Sequence, residues 1–135
     1  MPSFHDSAQT SAPPEEVWKL LYDPSRFPEW WAGIATVEMG AGEDGSYTIY
    51  PDGYPDFPMA QLLDTAREQQ RVTVSCLVSD LRYDWLLEPL EQSAGTRISV
   101  DVEIPEAEAA RLENQQQTIR ESLANLAELS ALTVD

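Results

Sequence analysis

The sequence predicts an α+β fold: seven antiparallel strands curved around one long C-terminal helix, with two short helices between the first and second strands. Three observations predict it. Segments alternating with period two fill most of the stretch from 34 to 104. Two helix-opening signals stand in tandem near Pro13-Pro14 and Asp23-Pro24. After Pro105 no proline or glycine interrupts the chain up to about residue 131. Strands with one apolar face need a cover, and one amphipathic helix supplies it.

Each element has a local reason. Residues 3–11 (SFHDSAQTS) read as a modest first strand. Pro13-Pro14 followed by Glu15 and Glu16 opens a helix, proline at its first turn and carboxylates at the positive end of its dipole. Val17, Trp18, Leu20 and Leu21 give that helix an apolar face. Asp23 is an N-cap for a second short helix carrying Phe27, Trp30 and Trp31, and Gly33 ends it. Strands follow at 34–39, 46–50, 59–66, 71–79, 81–88 and 96–104. The last is the cleanest: Ile98, Val100, Val102 and Ile104 alternate with Arg97, Ser99, Asp101 and Glu103. Pro105 then opens a helix on the order of 40 Å long at 1.5 Å per residue. Its stripe runs through Leu112, Ile119, Leu123, Leu126 and Ser130, with Gln116 as a polar position inside it.

Composition narrows the function. Eight Lys and Arg face 24 Asp and Glu, a formal charge of −16. That field repels phosphate backbones and anionic membranes, so nucleic acid and acidic lipid surfaces are excluded as expected partners. Four Trp, five Tyr and three Phe are too many for a solvated acidic tail. The 135 residues are expected to form one domain. One cysteine allows no intrachain disulfide, and one histidine beside it excludes the usual Cys/His zinc sites, so no metal is expected. Neither a secretory signal nor a bilayer-spanning run is visible, which predicts a cytoplasmic chain without membrane insertion.

Apparent motifs resolve to plain readings. Gly40, Gly42 and Gly45 spell GxGxxG, but a strand follows them and Glu43 and Asp44 repel phosphate, so the segment reads as a hairpin turn and no cofactor is expected. His5 stands beside Asp6 with no nucleophile elbow in the chain. Cys76 alternates with valines and reads as a small buried hydrophobe.

Segment 12–38 (APPEEVWKLLYDPSRFPEWWAGIATVE) resembles the opening of the START-like, helix-grip superfamily (SRPBCC). It is most like the polyketide cyclase/dehydrase-like branch, with its Ala-Pro, its Val-Trp helix, its Asp-Pro and its tryptophan-ended second helix. Segments 78–89 (VSDLRYDWLLEP) and 95–104 (GTRISVDVEI) resemble the paired last strands before the long helix. The resemblance implies a helix-grip domain and an internal cavity for a lipid, polyketide or quinone-like ligand. Its members include carriers, aromatic cyclases and chaperone activators.

The expected function is binding of a small hydrophobic or aromatic ligand. The sheet side of the site would be Val74, Cys76, Tyr83 and Trp85. The helix side would be Gln116, Ile119, Arg120 and Leu123, with Gln116 or Arg120 reading a polar end of the ligand. The mouth would be Trp31, Tyr54 and Phe57. A cyclase or dehydrase is the alternative, and Asp64 and Tyr83 are its weak catalytic candidates; Asp64 facing water is the favoured reading. A chaperone-activator module is the third: it predicts a collapsed cavity and an exposed apolar patch, through which a homodimer could also form. The charge favours a neutral or cationic ligand over an anionic one.

Overall fold

A computed structural model describes residues 3–39, 46–51, 53, 56–77, 80–91 and 95–132. The strands are β1 (Ser3–Thr10), β2 (Ile34–Met39), β3 (Ser46–Pro51), β4 (Met59–Ala66), β5 (Arg71–Cys76), β6 (Arg82–Pro89) and β7 (Thr96–Glu103). The α-helices are α1 (Pro14–Leu21) and α2 (Leu112–Leu132). All neighbouring strands are antiparallel, in the order β1-β7-β6-β5-β4-β3-β2. β1 returns to pair with β7, and α2 packs on the concave face near it.

Apart from one-residue shifts at strand ends, three elements differ from expectation, each for a local reason. The second short helix is a 3₁₀ helix, Pro24–Glu29, with Pro28 inside it. Asp23 caps it, accepting from the Ser25 amide at 3.1 Å and the Ser25 hydroxyl at 2.7 Å. Gly33 follows at φ +90°, a conformation other residues rarely adopt. β5 stops at Cys76, where the Asp80 amide closes a turn on the Cys76 carbonyl at 2.9 Å and Asp80 takes φ +59°. The C-terminal helix begins as 3₁₀ from Glu106 to Arg111 and becomes α-helical at Leu112. Its α-helical part is therefore on the order of 30 Å long.

One register level of the sheet joins Asp64, Thr73, Asp84, Asp101 and His5 across five strands on the outer face. Asp84 and Asp101 stand directly opposite one another, a like-charge pair. Arg71 pairs with Asp84 at 2.9 Å, and His5 Nδ1 lies at hydrogen-bond distance, 2.7 Å, from Asp101 Oδ1. With a formal charge of −16, repulsion across such a face destabilises the compact state and salt screens it. Raising NaCl from about 0.1 to 1 M shortens the screening length from about 10 to 3 Å, so the Tm should rise by on the order of 5 °C. A Tm that stays flat or falls over that range would show that the surface charges are already compensated.

Candidate functional site

A cavity of about 260 Å³ lies between the first turns of α2 and the β3–β6 part of the sheet. Its apolar wall is Trp31, Ile34, Ile49, Met59, Cys76 and Leu81. Its polar groups are Gln61 and Tyr83 from the sheet, and Arg111, Asn114, Gln115 and Thr118 from the helix side.

The helix residues follow from α-helical geometry. At about 100° per residue, positions 114, 115 and 118 fall on one shoulder of α2, and Arg111, the last residue of the 3₁₀ segment, precedes them. That shoulder faces the cavity, while Ile119, Ser122, Leu123 and Leu126 are buried beside it. Positions 116 and 120 fall on the opposite shoulder. Gln116 is accordingly exposed, and Arg120 reaches toward Asp6 of β1 at 3.9 Å with its side chain 80% exposed. Gln115 is the glutamine that faces inward, one residue from the one expected.

Two phenol–amide pairs organise the polar part. The Tyr47 hydroxyl donates to Gln61 Oε1 at 2.8 Å, and the Tyr83 hydroxyl donates to Gln115 Oε1 at 3.0 Å. The Trp31 indole meets the Tyr83 ring edge to face, 5.0 Å between centroids at 86°. Burial pushes both phenols well above the ordinary tyrosine pKa; for Tyr83, the positive charge of Arg111 opposes that rise. An acid whose folded pKa is raised adds stability that is complete below pH about 10 and fades as pH climbs toward the folded value. In an alkaline titration, two of the five tyrosines should ionise only as near-UV circular dichroism collapses. Smooth ionisation of all five with the fold intact would contradict this.

The expected site residues distribute unevenly. Trp31, Cys76 and Tyr83 line the cavity. Val74, Trp85, Ile119 and Leu123 are buried in the packed core instead. The reason is aromatic filling: Trp30 and Trp31 each pack on Trp85 with centroids 5.3 Å apart, which leaves no open space at that level. Phe57 is 54% exposed and does not line the cavity. Tyr54 lies outside the described residues. Asp64 is exposed, on the face opposite Gln61, three residues along the same strand. Gln61 and Gln115 were missed because a glutamine among apolar neighbours carries no motif; the signal available was period two from Leu63 for one and a four-residue step from Ile119 for the other.

A family model described as polyketide cyclase / dehydrase and lipid transport matches residues 1–131. The chain belongs to that family. No curated protein matches it in sequence. Among solved structures, XoxI from Bacillus cereus is similar at 16% identity and a TM-score of 0.76, over 96% of this chain and 95% of that one. The Zhui aromatase/cyclase from a Streptomyces species is similar at 12% identity and 0.77, over 96% and 93%. A START superfamily protein from Mycobacterium smegmatis is similar at 11% identity and 0.72, over 94% and 97%. At these identities the likeness shows the fold, which is the START-like helix-grip fold shared across this family. No helix among the described residues is long and apolar enough to cross a membrane.

Proposed function

We propose that the chain binds a small, largely apolar ligand of one or two rings in the cavity between α2 and the sheet. The observation that carries this reading is the cavity itself: about 260 Å³, with an apolar wall of Trp31, Ile34, Ile49, Met59, Cys76 and Leu81 facing polar groups from Gln61, Tyr83 and the start of the long helix. A void of roughly 150 Å³ suffices for benzene, and one of this size suits a fused bicyclic compound better than a sterol or a long acyl chain. Burial of apolar surface would supply the affinity at roughly 25 cal/mol per Å², before ordering costs. Family membership and the helix-grip fold support the same reading.

Titration of the full chain with naphthalene-sized compounds, read by tryptophan emission, tests it through Trp31 in the wall. Saturable binding of one- and two-ring compounds, with no binding of a sterol, is the expected result. Saturable binding of the sterol, or of none of these compounds, would sink it.

A cyclase or dehydrase reading rests on Tyr83. Its phenol lines the cavity and stays protonated, so it is an acid rather than a base, and a bound carbonyl would have to displace Gln115 Oε1 to receive its one proton. Among the described residues lining the cavity there is no carboxylate and no histidine to accept a proton. Binding is therefore the primary reading. The open cavity also argues against the chaperone-activator alternative, which needs that space collapsed.

A further inference from the structure

We propose that the cavity takes an aromatic monocarboxylate, its rings against the Trp31 wall and its carboxylate on Arg111 at the start of the last helix. This rests on the reading that the cavity binds a small, largely apolar ligand, and it adds the charge and the orientation of that ligand.

The sign of the site is opposite to the sign of the chain. Asp and Glu outnumber Lys and Arg by 24 to eight. Yet among the described residues lining the cavity the one charged side chain is Arg111. It ends the 3₁₀ turn that precedes α2, with its side chain 41% exposed, so its guanidinium stands where the cavity meets water. Its charge also reaches inward, since it opposes the rise of the Tyr83 phenol pKa.

The guanidinium is loosely held. Its Nη1 meets Glu108, three residues back, at 3.5 Å, the far limit of a hydrogen bond. A partly exposed ion pair of that length contributes little and is easily exchanged. Nε and Nη2 have no partner among the described residues. Two parallel N–H groups of a guanidinium match the two oxygens of one carboxylate. Asn114, which also lines the cavity, can turn its amide N–H to the same group.

The chain's charge of −16 favours a neutral or cationic ligand, and distance decides between the two effects. At 0.1 M salt, exposed charges farther than about 10 Å are largely screened, whereas an ion pair at contact is much less so. The surface field therefore slows the approach of an anion, and Arg111 holds the anion that arrives. Orientation follows from the same placement. At the Arg111 end a carboxylate keeps part of its hydration, while beside Cys76 and Met59 it would be desolvated with no cation to offset the cost.

Three compounds of one skeleton test this on the full chain by calorimetry at pH 7: 2-naphthoate, 2-naphthylmethanol and 2-naphthylmethylammonium. The carboxylate should bind at least about tenfold tighter than the alcohol, and the ammonium weakest. Arg111→Gln should cut the carboxylate advantage to within about twofold while the alcohol keeps its affinity. Arg111→Lys keeps the charge without the fork and should retain about threefold. Arg111→Glu should invert the order and place the ammonium first. The 3₁₀ turn buries no residue, so these variants should fold, which the thermal melt checks. A structural role for Arg111 alone would weaken all three compounds together. Equal binding of carboxylate and alcohol, or a carboxylate preference that survives Arg111→Gln, overturns this inference and leaves the cavity reading standing. Binding of none overturns both.

Discussion

Trp30→Ala should cost about 3–5 kcal/mol of folding stability, a large share of the total for a domain of this size. Trp30 is 1% exposed and touches three other aromatic rings: Phe27 at 5.5 Å, Trp31 at 5.3 Å and Trp85 at 5.3 Å. Its indole N–H donates to the Leu20 carbonyl at 3.0 Å, tying the segment after the 3₁₀ helix to the end of α1. Truncation would open a void that several rigid rings cannot collapse into. Urea denaturation measures the effect. Trp30→Phe separates the two contributions: it keeps most of the ring packing and should lose only about 1 kcal/mol for the hydrogen bond, plus the smaller ring's packing deficit. A loss below about 1.5 kcal/mol for the alanine variant would mean that Phe27 and Trp31 close over the gap.

Cys76→Phe should abolish ligand uptake while the protein still folds. Cys76 is 3% exposed, lies opposite Gln61 in the β4–β5 register and lines the cavity. A benzyl group there grows into space that is empty, not close-packed. The usual overpacking cost of about 1–3 kcal/mol should therefore be small. Ligand affinity should drop more than about tenfold, since the ligand and the new ring compete for one volume. The readouts are the thermal melt and the tryptophan-emission titration. A folded variant that keeps full affinity would place the ligand elsewhere and remove the cavity from the functional account.

These two variants divide the interior into a filled part and an open part. That division was only half legible in the sequence. Period two placed Leu81, just before β6, and Tyr83, Trp85 and Leu87 of β6 on one face, and all four are buried. It could not tell which of them meets a ligand. Tyr83 lines the cavity and Trp85, two residues on, is sealed under Trp30 and Trp31. The aromatics that decide this come from the segment after the first 3₁₀ helix, more than fifty residues away in the chain. Likewise, the expected polar reader on the last helix was off by one residue. A step of one position turns a helix by about 100°, which separates the cavity-facing Gln115 from the exposed Gln116. The stripe from Leu112 to Ser130 tolerates either phase, so only the sheet beneath it settles the choice.

By itself the sequence determined the fold and the character of the interior. Alternation, caps and prolines act over a few residues, and hydrophobic burial turns those local patterns into a sheet with one dry face around one helix. The tertiary structure alone decided which polar groups meet inside. Tyr47 finds Gln61 fourteen positions away, and Tyr83 finds Gln115 thirty-two positions away. Those meetings depend on strand register and helix phase, which are fixed only when the whole core packs, because a buried proton and a buried lone pair must each find a partner across elements.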